Sequence, residues 1–255
     1  MFERAKRSLG QNFLQDPVII GRIVDALGDL TESPIIEIGP GRGALTQPLV
    51  DSGTELTVIE LDRLLSGHLK SEYAEISTFR CFEADVLTVD LSALFEKKAK
   101  LIGNLPYYIS TAIIQHLIEH RDKLSLMLLM LQREVAERIT AKPGNSDRGY
   151  LTVLVEQVFD STIVIDVPPE SFSPRPKVFS NVISMTPAVD GFEIEPVHKA
   201  LVSAAFQQKR KNILNNLKGR YKNAAEILDK AAIDPRRRAE TITRDEWREL
   251  FKFVE

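Results

Sequence analysis

Cysteine is nearly absent from this chain, which has one, Cys81, among 255 residues. A single thiol excludes an internal disulfide framework and is typical of a reducing compartment. We expect Cys81 to be a small buried apolar side chain. Long apolar runs are also missing, because no stretch approaches the ~20 residues that span a bilayer. The charged N-terminal ten residues lack the apolar segment of a signal peptide, so we expect a cytoplasmic protein without membrane contact.

Net charge is small as well, at −3, which argues against a uniformly basic protein. The charges are unevenly distributed along the chain. Residues 196–255 contain 14 Lys/Arg and 8 Asp/Glu, whereas residues 1–195 contain 19 and 28. Such asymmetry indicates an anionic partner for the C-terminal part, although a solvated helical surface would give the same counts.

Strand-like and helix-like segments alternate through the first two thirds of the sequence. This order predicts an α/β fold with a mostly parallel sheet and helices on both faces. Apolar or β-branched strands are predicted at 34–39, 54–60, 78–82, 100–103 and 124–131. Two further strands, at 161–166 and 178–185, would close the sheet as an antiparallel hairpin.

A domain boundary is indicated at residues 186–196, where Pro, Gly and acidic residues cluster. After it the pattern predicts helices only, at 197–217, 224–231 and 243–253. Thr243 and Glu246 have the spacing of a capping box for the last helix. We therefore expect two domains, an α/β domain over residues 1–187 and a small all-helical domain over residues 192–255.

A glycine turn, E-I-G-P-G-R-G at 37–43, follows the first predicted strand and opens a helix. Gly39, Gly41 and Gly43 allow a ligand to approach the backbone closely. Glycines in such a turn are a weak signal when taken alone. Glu60 ends the second strand, where a carboxylate can accept from ribose hydroxyls. Asp85 follows the third strand and can accept from an adenine amine. Together with Glu37, and without a phosphate-loop lysine, these residues predict a site for a cationic nucleoside, S-adenosylmethionine rather than NAD.

The stretch G-N-L-P-Y-Y-I-S at 103–110 ends another predicted strand. The Asn104 side-chain oxygen and the Leu105 carbonyl could each accept one N–H of an exocyclic base amine, which would turn its lone pair toward a methyl donor. Pro106 fixes the backbone, and Tyr107 offers a face on which a flipped base can stack. This chemistry needs no metal. The alternative is a strand-end turn with a core tyrosine.

These motifs resemble those of the ribosomal RNA adenine N6-dimethyltransferases, and the resemblance covers essentially the whole chain. It also rests on G-Q-N-F-L at 10–14, A-D-V at 84–86 and F-S-P-R-P-K-V-F-S at 172–180. The similarity is greatest to the bacterial KsgA type, which dimethylates two adjacent adenosines near the 3′ end of 16S rRNA in the small ribosomal subunit. One departure is Tyr108, where those enzymes often carry Asn.

The resemblance implies a Rossmann-like class I methyltransferase domain that binds S-adenosyl-L-methionine, followed by an RNA-binding helical domain. Asn12 and Leu14 would cover the methionine part of the cofactor through backbone groups. The remaining cofactor contacts would come from Gly39, Glu60, Asp85 and Asn104. The target adenine would lie against Tyr107, with Phe172 as a second aromatic face. A role as a checkpoint in small-subunit biogenesis, and a monomeric state, are further expectations.

Six cations lie among Leu and Ile in residues 207–222, where we expect them to line a helical flank and contact RNA phosphates. They are Lys209, Arg210, Lys211, Lys218, Arg220 and Lys222. Residues 236–238, all arginine, and the basic residues Arg4, Lys6 and Arg7 would extend this surface.

Two alternatives remain open. One is a resistance-type dimethyltransferase that modifies 23S rRNA, and the other is a ribosome-assembly factor that acts mainly by binding. His116 to His120 also match the zinc-protease pattern H-x-x-E-H, but a third ligand is lacking and we expect no metal.

Overall fold

The computed structural model describes residues 11–254, and the strands in this range form two sheets. The strands are β1 (Phe13–Leu14), β2 (Ile35–Ile38), β3 (Leu56–Glu60), β4 (Phe79–Glu83), β5 (Ala99–Asn104), β6 (Leu124–Gln132), β7 (Phe159–Val167), β8 (Phe172–Ser173) and β9 (Ser180–Pro187). The α-helices are α1 (Pro17–Asp25), α2 (Thr46–Asp51), α3 (Arg63–Glu72), α4 (Ser110–Glu119), α5 (Arg133–Ile139), α6 (Tyr150–Val158), α7 (Pro196–Ala205), α8 (Ile213–Leu217), α9 (Ala224–Lys230) and α10 (Arg244–Phe251).

The larger sheet has seven strands in the order β4-β3-β2-β5-β6-β9-β7. The five strands from β4 to β6 pair in parallel, and β9 runs antiparallel to β6. β7 and β9, the two strands predicted to close the sheet, are neighbours in it. The predicted α/β class with a mostly parallel sheet is therefore confirmed.

The central strands are continuous apolar runs because both of their faces are covered. All four residues of β2 and the first five of β5 are buried, as expected for parallel strands with helices on each side. The core around them draws on helices as well as strands, with Ile23, Leu49 and Leu69 almost fully buried. Cys81 is half-buried and packs against this core.

The start of α2 differs from the sequence prediction, whereas α1 starts with an ordinary cap. α2 begins at Thr46 rather than at Gly43, because Gly39, Gly41 and Gly43 all have positive φ and such residues do not continue a right-handed helix. At the N-terminal side, Asp16 caps α1 by accepting from the Val18 and Ile19 N–H groups, and Pro17 stands at the first helical position.

The predicted single helix over residues 197–217 is wrong, because the chain breaks into α7 and α8. The buried side chain of Asn216 stabilises the break by bonding to the connecting turn. Its Nδ2 donates to the carbonyls of Ala205 and Gln208, and its Oδ1 accepts from the Gln208 N–H. Asn212 then caps α8 by accepting from the Asn215 N–H.

The described chain divides into two compact units, one comprising residues up to Ala136 with Thr162–Pro187, and the other Glu137–Ser161 with the residues from Ala188 onward. The end at Pro187 coincides with the predicted boundary. Residues 137–161 belong to the second unit, because α6 packs with α7 and α10. This long-range grouping has no signal in local sequence patterns.

The second unit has an aromatic and ionic core of its own. Trp247 is fully buried, with its ring 6.1 Å from Phe206 and 6.0 Å from Phe251 between centroids. Arg148 is also fully buried; it pairs with Glu156 and donates to the carbonyls of Ala141 and Ile242. The capping box of Thr243 and Glu246 is present at the start of α10. No helix within residues 11–254 is long and apolar enough to cross a membrane.

Candidate active site

A cleft lies over the carboxyl ends of β2, β3 and β5, where ligands of open α/β sheets bind. Its empty volume, open solvent at the mouth included, is about 1010 Å³. The residues predicted to hold the cofactor and the acceptor base share this cleft, with Phe172 as the exception. Those lining it include Asn12, Leu14, Gly39, Glu60, Asp85, Asn104, Leu105, Pro106 and Tyr107.

The glycine turn is tied to the end of β3 by one carboxylate. Glu60, 6% exposed, accepts from the Gly41 N–H at 3.0 Å through one oxygen and from the Asp62 N–H at 2.8 Å through the other. Burial raises the pKa of Glu60, against the lowering effect of these two N–H groups. Each carboxylate oxygen has a second lone pair, so Glu60 can still accept from a ligand hydroxyl.

Glu37 differs in protonation from the ionised carboxylate that the sequence predicts at this strand end. It is almost fully buried, and its carboxyl accepts from the Thr46 hydroxyl at 2.7 Å. Burial raises the pKa of Glu37 to about 8. At neutral pH this side chain is therefore mostly uncharged, and the negative charge of the cleft comes from other carboxylates. The prediction of three acidic strand ends is corrected in this respect.

Asp85 lies just beyond β4 at the start of a short 3-10 turn. One oxygen of its carboxylate accepts from the Leu87 N–H at 3.0 Å. The side chain is half-buried and lines the cleft. The turn thus holds a carboxylate at the third strand end, two residues after the strand finishes.

The segment Gln11–Leu14 forms part of the cleft wall, and each of its four residues contacts another part of the chain. Gln11 donates to Asp62 at 3.0 Å, and the Asn12 carbonyl accepts from Asn104. The Phe13 ring lies 4.3 Å from the Arg42 guanidinium carbon. Finally, β1 pairs with β8, so that Leu14 is opposite Phe172. These contacts make the segment a fixed part of the cleft.

Asn104 stands at the last position of β5 with its amide oriented by that segment. Its Nδ2 donates to the Asn12 carbonyl at 3.0 Å. A backbone carbonyl can only accept, so the amide nitrogen must face it, and Oδ1 is the polar atom that this contact does not use. The Leu105 N–H donates to the Met130 carbonyl at 3.2 Å, which holds the next peptide against β6.

Tyr107 is held in place by its hydroxyl group. The oxygen lies 2.8 Å from the hydroxyl of Ser180, a fully buried residue at the start of β9. Burial raises the pKa of Tyr107, against the lowering effect of the Ser180 bond, so the ring stays neutral and fixed. Tyr108, the departure from the family pattern, is 57% exposed. Ser180 was not among the predicted site residues, although it ends the 172–180 motif that carried the resemblance.

Phe172 is the one predicted acceptor-site residue that the structure does not bring to the cleft. It is 5% exposed, pairs with Leu14 across the small sheet and belongs to the hydrophobic core. A side chain enclosed in this way exposes little surface to the cleft. The second aromatic face expected of Phe172 stays a prediction.

The six predicted RNA-contacting cations do not lie on a helical flank. Three of them occupy the turn between α7 and α8, and the other three follow the end of α8. All are exposed; they are Lys209, Arg210, Lys211, Lys218, Arg220 and Lys222. We call these six residues the basic turns.

The arginines at 236–238 are bound to carboxylates, which weakens their case as phosphate ligands. Arg236 pairs with Asp234, and Arg237 pairs with Glu246. Arg238 lies 3.8 Å from Glu240. Arg4, Lys6 and Arg7 lie outside the described residues.

The two histidines of the H-x-x-E-H pattern have partners that explain their positions. His116 Nε2 contacts the Val89 carbonyl and His120 Nδ1 contacts the Ser92 hydroxyl, both at 3.0 Å. Between residues 11 and 254, no three His, Cys, Asp or Glu side chains are grouped so that they could hold a metal.

This strand order, with a ligand cleft at the carboxyl edge of its parallel strands, is that of the Rossmann-like class I methyltransferases. The solved structures it resembles agree. A dimethyladenosine transferase from Plasmodium falciparum aligns with TM-score 0.81 and 26% identity, over 94% of this chain and 97% of that one. The 23S rRNA methyltransferase ErmE aligns with TM-score 0.73 and 25% identity, over 95% and 99%.

The chain belongs to the ribosomal RNA adenine dimethylase family, whose family model matches residues 2–255. Similar curated proteins include ribosomal RNA small subunit methyltransferase A of Laribacter hongkongensis, 43% identical over 93% of this chain and 91% of that protein. The protein of the same name from Idiomarina loihiensis is 42% identical over 96% and 85%.

Proposed function

We propose that this protein transfers methyl groups from S-adenosyl-L-methionine to the N6 amines of two adjacent adenosines near the 3′ end of 16S rRNA, giving N6,N6-dimethyladenosine. The substrate is the rRNA within the small ribosomal subunit, which would place the protein in the cytoplasm. We further propose that it acts as a monomer without a metal and contributes to a checkpoint in subunit biogenesis.

One observation carries the proposal: the amide of Asn104 is oriented at the open end of β5. With Nδ2 bonded to the Asn12 carbonyl, Oδ1 is left to accept an N–H from the target amine. The Leu105 carbonyl is the second acceptor, and the N–H of the same residue is bonded to the Met130 carbonyl. Two acceptors on one exocyclic amine draw its lone pair out of conjugation with the ring, so that it can attack a methyl carbon.

The residues of the cleft suit the cofactor. Glu60 retains acceptor capacity for ribose hydroxyls while it holds the glycine turn, and Asp85 can accept from the adenine amine. Gly39 has φ +66°, a conformation that favours glycine, and this turn brings its backbone into the cleft next to Asn104. When bound, the cofactor supplies a methyl group on a positively charged sulfur.

The protein contributes position rather than a base. Tyr107, fixed through Ser180, offers the flipped adenine a stacking surface, and Asn104 with Leu105 aims the amine. The methylated amine loses its extra proton readily to water, so no side chain with a matched pKa is required. Alignment of this kind is worth roughly 7–11 kcal/mol of the barrier.

Two observations favour the small subunit over the 23S alternative. The relatives that are 40–43% identical are named for the small subunit, whereas the 23S enzyme ErmE is 25% identical. A function limited to binding is the other alternative. It is less favoured because the oriented amide and the fixed tyrosine serve transfer chemistry and would be unnecessary for binding alone.

The test measures transfer of labelled methyl to undermethylated small subunits, with large subunits and naked rRNA in parallel, followed by mapping of dimethyladenosine. We expect label at two adjacent adenosines of 16S rRNA. Asn104→Ala removes the oriented acceptor and should lower the rate by about 10²–10³-fold, as loss of a positioned polar group does elsewhere.

Asn145→Ala is the matched control, because Asn145 is an exposed loop residue of the second unit and should leave the rate unchanged. Transfer by Asn104→Ala at the wild-type rate would overturn the proposed mechanism. Label mainly in 23S rRNA would support the resistance-type enzyme instead. Full rescue of a deletion strain by Asn104→Ala would support the binding role.

A further inference from the structure

An exposed aromatic ring and an exposed guanidinium group are stacked beside the acceptor half of the cleft. The guanidinium carbon of Arg133 lies 4.3 Å from the ring centroid of Phe179. The Arg133 N–H also donates to the Phe179 carbonyl at 3.0 Å. Phe179 is 45% exposed, and the Arg133 side chain is 41% exposed. Arg133 Nη2 also lies 3.8 Å from Asp166 Oδ1; this is an exposed, weak ion pair that a phosphate can displace. We call these two residues the Arg133–Phe179 platform.

The platform lies at the same sheet edge as Asn104. β6 ends at Gln132 opposite Ser180, where β9 begins, and Asn104 is opposite Met130 on β6. Arg133 is thus three residues beyond the strand position that faces Asn104. The two strand steps from Met130 to Gln132 cover about 7 Å at 3.2–3.4 Å per residue, and Arg133 follows as the first residue of α5. The nucleotide next to a flipped base can cover such a distance.

The platform is also linked to the residue that would stack on the target adenine. Phe179 directly precedes Ser180, whose hydroxyl holds Tyr107 at 2.8 Å. The two aromatic side chains are therefore connected through one peptide bond and one hydrogen bond. A ligand that stacks on Phe179 and another that stacks on Tyr107 would be held in a defined relative position.

Burial in the core does not explain this pair, because both side chains are substantially exposed. Large apolar side chains at the surface are informative when they combine with charge at a functional edge, and an exposed cation–π contact is weak as a structural device. An aromatic face with an adjacent cation is instead the arrangement with which proteins hold single-stranded nucleic acid, because the ring stacks on a base and the cation attracts the phosphate.

We propose that the Arg133–Phe179 platform binds the nucleotide adjacent to the target adenosine, by stacking of its base on Phe179 and contact of its phosphate with Arg133. This inference rests on the proposed function. It implies that the protein recognises a dinucleotide rather than a lone adenine. Because the two targets are adjacent, the base on the platform during one of the transfers is the other adenine.

The test compares Phe179→Leu with Phe179→Trp on undermethylated small subunits. Leucine keeps an apolar side chain but removes the stacking face, so we expect the KM for subunits to rise roughly 5- to 20-fold. The kcat and the cofactor Kd should change less than 2-fold. Phe179→Trp keeps a stacking face and should therefore have the wild-type KM. A purely structural role would not distinguish these two variants in this way.

A second arm uses subunits reconstituted with 16S rRNA that carries an abasic site next to the remaining target adenosine. With this substrate the KM of the wild-type protein should rise by the same factor, and the KM of Phe179→Leu should not rise further. Arg133→Gln gives an independent variant if Phe179→Leu unfolds. Two results would overturn the inference. One is the same KM for Phe179→Leu, Phe179→Trp and the wild type. The other is an equal rise in KM for the wild type and for Phe179→Leu when the abasic substrate replaces the intact one. Absence of methyl transfer by the wild type would instead refute the proposed function.

Discussion

At the scale of single residues, the acceptor half of the cleft depends on side chains that orient other side chains. Asn104 needs the Asn12 carbonyl to turn its amide, and Tyr107 needs Ser180 to fix its ring. Neither partner takes part in bond making under the proposed chemistry. Their effect on rate comes through the geometry of the groups that would touch the base.

A double-mutant cycle on Tyr107 and Ser180 tests this dependence. Tyr107→Phe keeps the stacking ring and removes one hydrogen bond, worth about 0.5–1.5 kcal/mol, so we expect kcat to fall roughly 2- to 12-fold. Ser180→Ala should have a similar effect. The double variant should be no worse than the poorer single one, because both changes remove the same bond.

Tyr108→Phe is the matched control for this cycle, since Tyr108 is the exposed neighbouring ring, and its kcat should equal that of the wild type. Strictly additive losses for Tyr107→Phe and Ser180→Ala would show that the two hydroxyls act independently, contrary to our expectation.

Glu37 predicts a pH dependence of stability. Burial raises its pKa from 4.5 to about 8. Between these values the folded state keeps a proton that the unfolded state has lost. The free energy of unfolding therefore falls as pH rises through this window, by at most ~1.4 kcal/mol per pH unit from this group. Glu37→Gln should remove that part of the slope in urea denaturation between about pH 5 and pH 8.

Glu75→Gln makes the same chemical change at an exposed position and should leave the slope as it is in the wild type. An unchanged slope in Glu37→Gln, together with an altered one in Glu75→Gln, would contradict the assignment to the buried carboxyl group.

At the scale of elements, the glycine turn and the segment Gln11–Leu14 form one wall of the cleft. Gly41 has φ +58°, and a Cβ there would lie 3.0 Å from the Phe13 ring. Phe13 in turn lies against Arg42. The absence of a side chain at Gly41 thus permits both the turn conformation and the close approach of the segment.

Gly41→Ala should weaken cofactor binding at least 10-fold, because the new methyl group displaces Phe13 and the segment attached to it. Gly53→Ala is a matched control with φ +75° and nothing within 4 Å of the added Cβ. Both variants carry backbone strain of about 1–2 kcal/mol, but only Gly41→Ala adds overpacking. Calorimetric titration with the cofactor and urea unfolding measure the two effects; equal cofactor Kd values for both variants would contradict the steric argument.

The connection between α7 and α8 shows how one buried amide changes the presentation of charge. Asn216 bonds to both ends of the turn that carries Lys209, Arg210 and Lys211. On a continuous helix these side chains would point in directions about 100° apart. In the turn that the buried Asn216 side chain stabilises, all three side chains are exposed, so they can contact a phosphate backbone.

At the scale of the whole molecule, we expect the proposed function to be divided between the two units. The cleft lies in the first unit, and the basic turns lie in the second. Cofactor affinity should therefore depend on the first unit, and the salt-dependent part of RNA affinity should depend largely on the second.

Reversal of Arg210 and Lys211 to Glu should weaken binding to small subunits at least 10-fold at low salt. The slope of log affinity against log salt should become shallower by about one for each phosphate that the variant no longer neutralises. Cofactor Kd should be unchanged. Reversal of Lys97 and Lys98, which are exposed in the first unit, makes the same change in net charge as a control. Filter binding across a salt series measures both, and equal weakening by the two pairs would show that net charge alone matters.

Local patterns in the sequence determined the strand–helix alternation, the glycine turn, the cap of α10 and the placement of Glu60, Asp85 and Asn104 at neighbouring strand ends. These features follow from residues close together in the chain, because alternating apolar spacing and turn chemistry act locally, and parallel strands bring their carboxyl ends to one edge. The family could be recognised from the same motifs.

Tertiary structure alone decided which predicted groups face the cleft and in what state. Burial leaves Glu37 mostly neutral, packing encloses Phe172, and Asn216 divides a helix that local periodicity joins. The partners Ser180 of Tyr107 and Asn12 of Asn104 are 73 and 92 residues away in sequence. Desolvation, enclosure and long-range hydrogen bonds depend on residues that meet only after folding, so no local pattern could specify them.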